Sequence, residues 1–365
     1  MSSHALPIPA ELADAEHVAE LITSSWISHA IGAAIELGIF DALAEAPAGH
    51  ESLAASLECS PSGLLQLLRA CESLGLCRLD GEAQWQLTGT GRLLASAADG
   101  SQHAWARLWC RELAGLWSGL AGAVRRGTSV RKIRGEADGF MPLQVDPGRA
   151  DTFHRAMTSD SWWVADAFAR LPALETCRHV VDVGGGHGVL IVALLRQHPE
   201  CRGTVFDMAH AESGATSAFQ AAGVADRADF VAGDFFAQVP AGADTYVLKS
   251  VLHDWPDDRC AAILARCRSA MSTSARLFVL ERVTALPLGA ATGDRAWARS
   301  DLNMLVAHGA CERTRDGYAA LLGRAGFALA AVYPLAMGVS AIEAIPTDVN
   351  PRAATPGADR RDPIE

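Results

Sequence analysis

Val180-Val181-Asp182-Val183-Gly184-Gly185-Gly186-His187-Gly188 is an apolar strand pattern that carries one acid and runs directly into a glycine-rich turn, before a helix over 189–197. Glycine lets the backbone approach a ligand closely, and in open α/β sheets such turns stand at the carboxyl edge, where ligands bind. The segment therefore predicts a nucleotide-like cofactor. The dinucleotide fingerprint G-x-G-x-x-G fails in both registers: it needs a glycine where Val189 stands, or meets His187 in place of its second glycine. The pattern that fits is G-x-G-x-G.

Working outward, apolar runs at 179–183, 203–207, 228–233, 244–249 and 275–282 alternate with helical segments, which predicts a parallel sheet with crossover helices. Two later runs, 327–334 and 340–345, flank a Met337-Gly338 turn and should pair antiparallel at one sheet edge. The expected fold is α/β, a seven-stranded doubly wound Rossmann-like sheet. Before it, 13–46 shows helical apolar spacing, 50–76 reads as helix, turn, helix, and 77–87 as a hairpin turning at Asp80-Gly81. Together these make a winged-helix-like module. It has no dense basic helix, so packing against a second subunit is favoured over DNA binding.

Residues 92–171 read as mostly helical and tryptophan-rich, with a polar interruption at 127–139. Arg125, Arg126, Arg131 and Arg134 beside Lys132 form the clear basic cluster, read as a solvated helix end and loop. The expected division is a helical dimerisation module at 1–91, a helical linker and substrate-pocket region at 92–175, a cofactor-binding domain at 176–346, and a disordered tail at 347–365.

The 365 residues, half of them hydrophobic and 20% charged, suffice for a large packed core plus an accessory unit. A net charge of -11 argues against nucleic acid or an anionic membrane as the main partner. Nine cysteines without a C-x-x-C pair suit reduced thiols in a cytoplasmic protein, and His4, Pro7, Pro9 and Glu11 do not make a signal peptide. Only two lysines, Lys132 and Lys249, stand against abundant arginine and alanine, a bias of GC-rich bacterial coding.

Acids recur at the strand ends. Asp207 ends the second strand and can accept hydrogen bonds from both ribose hydroxyls, while Asp234 and Phe235 end the third and offer an acceptor and an aromatic face for adenine. With G-x-G-x-G after an Asp-bearing strand, the cofactor expected is S-adenosyl-L-methionine. The fourth strand leads into Leu252-His253-Asp254-Trp255, which places His253 near the cofactor's sulfonium. A phenol is mostly protonated at neutral pH, so methyl transfer to its oxygen gains from a base. On spacing alone His253 reads equally well as structural, and Asp254 as a cofactor contact or a helix cap.

From these motifs the chain resembles the class I S-adenosylmethionine-dependent methyltransferases, and within them the caffeic-acid and isoflavone type of small-molecule O-methyltransferase, including bacterial members that decorate antibiotics and pigments. The resemblance covers about 13–346. It implies cofactor contacts at Gly184, Gly186, Asp207, Asp234, Phe235 and Lys249, with Asp182 and Met208 beside them. It implies His253 as general base, flanked by Glu281 and Glu312, and no metal. It implies an acceptor pocket lined by Phe153, Met157, Trp162, Trp163, Asp301 and Met304, and a homodimer formed through the N-terminal module. Residues 131–142 depart from the family's His-Gly-x-x-Phe-Phe loop. The acceptor expected is a polycyclic or heteroaromatic phenol, of phenazine or quinone type. Two rivals compete: a relative turned hydroxylase or decarboxylase, against which His253 argues, and a ligand-sensing DNA-binding regulator, against which the acidic balance argues.

Overall fold

Residues 10–136, 140–284, 288–289 and 292–347 are described by the computed structural model; the tail expected beyond residue 347 lies outside them, as do 137–139 of the polar interruption. The chain divides into two compact units, Met1–Gly115 and Leu116–Glu365.

In the first unit, Pro61 at the first helical position and Ser60, whose hydroxyl accepts from the Gly63 amide, start the helix Pro61–Ser73. With His50–Ser56 it forms the expected helix, turn, helix. The hairpin follows as β1 (Cys77–Leu79) and β2 (Trp85–Leu87), antiparallel with Leu79 opposite Trp85. Its turn is closed by Asp80, one carboxylate oxygen of which accepts from the Glu82 and Gln84 amides. Ile39, Phe40, Leu64, Leu68 and Trp85 are the core. The helices Ala10–Thr23 and Ser25–Glu36 instead leave Val18, Leu21, Ile22, Trp26 and Ile27 exposed. By length and composition Leu12–Glu36 passes as long and apolar enough to cross a membrane, though Ser24 separates two helices within it.

The second unit holds the sheet: β3 (His179–Val183), β4 (Arg202–Asp207), β5 (Ala228–Ala232), β6 (Thr245–Lys249), β7 (Arg276–Thr284), β8 (Arg313–Thr314), β9 (Phe327–Pro334) and β10 (Val339–Pro346). Among the described residues it is eight-stranded, in the order β5-β4-β3-β6-β7-β10-β9, with β8 beside the end of β7. The first five strands are parallel, and β9 and β10 are antiparallel as expected. The seven anticipated runs all form. The additional strand, β8, pairs only Arg313 with Val283 and Thr314 with Thr284, too short a segment to show any alternation in sequence.

Period-2 alternation distributes side chains to two cores. Val181, Tyr246, Leu248, Leu277 and Val279 face one helical layer, while Val180, Val247, Phe278 and Leu280 face the other. Each such burial contributes roughly 1.5–3 kcal/mol relative to exposure. Strand order reverses between β3 and β6, and a crevice opens at such a reversal outside the carboxyl ends. That geometry places the turn after β3 and the segment after β6 side by side.

Tyr246 anchors the sheet on one face: its ring is fully buried and its hydroxyl lies 3.0 Å from the Pro240 carbonyl and 3.1 Å from that of Ala270. Tyr246→Phe should lower stability by about 1–2 kcal/mol in urea unfolding and leave turnover unchanged, since the lost bonds are remote from the crevice.

Candidate active site

The glycine turn after β3 is shaped by steric exclusion. Gly184 has φ +77°, and a Cβ there would stand 2.9 Å from Val251 Cγ2, so only glycine fits. Gly186, φ +55°, donates its amide to Asp207 Oδ2 at 2.7 Å, and the Met208 amide donates to Asp207 Oδ1 at 2.6 Å. Each Asp207 oxygen accepts one bond from the protein, which leaves acceptor capacity for a ligand's hydroxyls. Burial raises the Asp207 carboxyl, opposed by those two amide bonds. Asp182, buried in β3 beneath the turn, is pushed up to about 7 by burial and by Asp207, with Lys249 opposing.

Lys249 at the end of β6 donates to the Ser250 hydroxyl at 3.0 Å and lies 3.9 Å from Asp160. Phe235 is half-buried, its ring edge-on to Phe236 at 4.9 Å, and it stands beside the space a Gly184 Cβ would take. Asp234 is exposed and accepts the Phe236 amide at 2.8 Å. Gly184, Gly186, Asp207, Met208, Phe235 and Lys249 thus gather at the carboxyl ends of β3 to β6, with Asp182 below and Asp234 at the rim.

His253 sits where the chain leaves β6. Ser250 takes φ +53°, an uncommon left-handed conformation for a side-chain-bearing residue, and turns the backbone. The next three amides then converge on one oxygen: Val251, Leu252 and His253 donate to Glu281 Oε1 at 3.1, 3.0 and 3.4 Å. The other Glu281 oxygen lies 3.1 Å from His253 Nδ1, and so does Glu312 Oε1. Ser300 donates to that same Glu312 oxygen at 2.6 Å, and the Glu312 amide donates to Asp301 at 2.9 Å. Asp301, expected in the acceptor pocket, therefore has one oxygen engaged in holding Glu312.

His253 Nε2 faces Asp254 at 3.5 Å, and His308 Nε2 reaches the same oxygen at 3.4 Å. Burial works against the imidazolium, but Glu281, Asp254 and Glu312 outweigh it and hold His253 up to about 10. Burial raises Glu281 to about 7 despite His253, while hydrogen bonds from His253 and Ser300 overcome burial and hold Glu312 below the usual carboxylate value. The group titrates as a coupled set. Ligating atoms of His253, Glu281 and Glu312 lie within 4.8 Å of one another, a spacing that would also suit a cation. Here an imidazole already supplies the charge partner for the two carboxylates.

The aromatic wall is broader than the sequence indicated. Phe153 stands edge-on to Phe140 at 5.8 Å, and Phe140 stacks on His308 at 5.5 Å and lies 6.0 Å from Trp255. Met157 is half-buried and Met304 buried, whereas Trp162 and Trp163, edge-on to each other at 4.5 Å, are each 40% exposed. Phe140, Trp255, Ser300 and His308 were not singled out by the sequence reading as site residues; nor was Arg313, noticed only as the neighbour of Glu312. Its buried guanidinium donates to the Leu252 and Trp255 carbonyls at 2.9 Å each and to Asp257 at 2.8 Å.

Comparison with known proteins places this geometry in context. Residues 117–328 match the O-methyltransferase domain family and residues 19–97 the O-methyltransferase dimerisation domain family. The chain is 35% identical over 327 residues to phenazine O-methyltransferase PhzM of Lysobacter antibioticus, covering 90% of this chain and 95% of that one. It is also 35% identical over 286 residues to aclacinomycin 10-hydroxylase RdmB of Streptomyces purpurascens, covering 76% and 75%. Among solved structures, NcsB1 from neocarzinostatin biosynthesis, in complex with S-adenosylmethionine and 2-hydroxy-5-methyl naphthoic acid, superposes with TM-score 0.72 at 30% identity, covering 87% of this chain and 95% of that one.

Arg313→Met should lower stability by on the order of 3 kcal/mol in urea unfolding, because it removes the charged donor of the Leu252 and Trp255 carbonyls, leaves them the weak Cys260 thiol and the Trp255 amide, and leaves Asp257 with one fewer partner. Arg313→Lys, with a single ammonium in place of the fork, should recover only part of that loss.

Proposed function

The chain belongs to the S-adenosylmethionine-dependent O-methyltransferase family, and on that premise we propose that it methylates a phenolic hydroxyl of a polycyclic or heteroaromatic secondary metabolite, with His253 as the base. The protein is an O-methyltransferase and its cofactor is S-adenosyl-L-methionine. Bound, the cofactor supplies a methyl group on a cationic sulfur and leaves as S-adenosyl-L-homocysteine. The chain's own groups suit it: Asp207 has free acceptor capacity for the ribose hydroxyls, and the glycine turn has no room for side chains that would bar a ligand. Asp234 and Phe235 are assigned to adenine, and Asp182, Met208 and Lys249 to the remainder of the cradle.

One observation carries the catalytic reading: His253 Nδ1 is 3.1 Å from both Glu281 and Glu312, which leaves Nε2 directed away from them. Held in that orientation, the imidazole takes the phenolic proton on Nε2, and the two carboxylates stabilise the imidazolium that results. The hydroxyl is thus ionised without a metal. Phe153, Met157, Trp162, Trp163 and Met304, with Phe140 and Trp255, offer flat apolar surfaces for a ring, and Asp301 acts here by holding Glu312. A relative named for phenazine and a neighbour complexed with a hydroxylated naphthoic acid support a polycyclic acceptor. The hydroxylase relative marks an alternative that the intact His253, Glu281 and Glu312 cluster disfavours. The match at 19–97 and the exposed Leu21, Ile22 and Trp26 support a homodimer; the reduced-thiol composition supports a cytoplasmic one.

Calorimetric titration of S-adenosylmethionine, followed by mass spectrometry of a panel of hydroxylated phenazines, naphthoates and simple phenols, tests the assignment. Wild type should bind the cofactor and add one methyl group to a polycyclic phenol. His253→Ala should keep cofactor binding and lose about 10²–10⁴-fold in turnover. Survival of full activity in that variant would remove His253 from the chemistry; failure to bind cofactor would overturn the cradle.

The base must be unprotonated, and in the fold its pKa lies well above that of an ordinary imidazole, up to about 10. The rate should therefore rise with pH through the alkaline side of neutrality. Glu312→Gln removes a charge that favours the imidazolium, so the limb in the pH profile of kcat/KM should move to lower pH, while the plateau falls by roughly tenfold or more.

A further inference from the structure

We propose that Cys177 and Cys201 are a modification site, a buried thiol pair that hydrogen peroxide converts to an intramolecular disulfide. Cys177 precedes β3 and Cys201 precedes β4, two parallel neighbours whose first residues pair as His179 with Arg202. The Arg202 amide donates to the Arg178 carbonyl at 2.8 Å, fixing the register just where the two cysteines enter. Their sulfurs lie 3.3 Å apart, hydrogen-bonded to each other. A disulfide of about 2.05 Å requires only a small approach from there. Both side chains are buried with Leu174, Val180 and Leu195 in the core of one sheet face.

The two thiols are not equivalent. Donation from Cys177 favours the Cys201 thiolate, with Arg227 assisting and burial and Asp244 opposing, whereas the same bond and burial hold the Cys177 thiol up. Arg227 donates to the Cys201 carbonyl at 3.0 Å, which keeps the guanidinium beside this segment. The step itself balances whichever sulfur attacks first. In the first step one thiolate of the pair attacks the peroxide, the O–O bond breaks, and that cysteine becomes a sulfenic acid as hydroxide leaves and takes up the thiol's proton as water. In the second, the other cysteine attacks the sulfenic sulfur, the S–O bond breaks as the S–S bond forms, and a second water leaves with the second thiol's proton. Two thiols and one peroxide yield one disulfide and two waters.

The bond closes a loop that contains the glycine turn at 184–188 and the helix Val189–Gln197. It ties β3 to β4 at their amino ends, whereas Gly184 and Asp207 stand past their carboxyl ends. Oxidation should therefore raise thermal stability and leave the chemistry at His253 unchanged. This assignment is independent of the acceptor and of the base.

The test uses the intact protein titrated with hydrogen peroxide, with remaining thiols blocked by N-ethylmaleimide in denaturant before trypsin digestion. The expected product joins peptide 171–178 to peptide 197–202, two hydrogens lighter than the separate peptides, released by dithiothreitol. The thermal midpoint should rise on oxidation and return on reduction. Recovery of both peptides singly labelled, at peroxide levels that oxidise the exposed Cys311, overturns the proposal, as does a sulfinic acid on Cys201 without a link. Cys201→Ser should abolish the linked product and leave Cys177 fully labelled; the wild-type map stands even if that variant folds poorly.

Discussion

A carboxylate with no solvent exposure, within β7, organises the catalytic corner. Glu281 accepts three successive amides on one oxygen and faces the His253 imidazole with the other. From the opposite side Arg313 collects the Leu252 and Trp255 carbonyls of the same turn. A single turn of backbone thus has its donors gathered on an anion and its acceptors on a cation. Buried peptide groups without partners cost about 1–3 kcal/mol each, so both groups stabilise the turn that follows the unusual Ser250 conformation.

The two acids beside His253 differ in their surroundings despite equal distances. Glu281 is invested in backbone and is raised by burial, whereas Glu312 is kept ionised by Ser300 and the imidazole itself. Both acids favour the imidazolium, Glu281 through its charge and Glu312 through its charge and a hydrogen bond. Around the glycine turn Asp182 and Asp207 are likewise raised by burial, so the crevice gathers carboxylates whose charge is incompletely compensated by the protein. A cationic cofactor bound there would meet that deficit.

The sheet was legible because its central strands are buried on both faces and read as apolar runs, as 179–183, 244–249 and 275–282 do. The cofactor turn was legible for a related reason: backbone approach demands glycine, and glycine is visible as a letter. His253 stood as a candidate from its place after the fourth strand, but its role and its partners Glu281 and Glu312 could be named only through resemblance, since the three lie on segments far apart in the chain. Asp301 shows the limit of that route. Its position in the pocket helix was anticipated, but its bond to the Glu312 amide depends on how that helix meets β8.

By itself the sequence determined the order of strands and helices, the class of cofactor, and the candidacy of one histidine, because local periodicity and residue chemistry are one-dimensional properties. Tertiary structure alone decided that β8 joins the sheet, that Arg313 clamps the histidine turn, that Phe140 and His308 complete the aromatic wall, and that Cys177 and Cys201 meet. Each of those depends on where segments remote in sequence arrive in space, and a side chain's partner, its burial and hence its proton affinity exist only after that arrival.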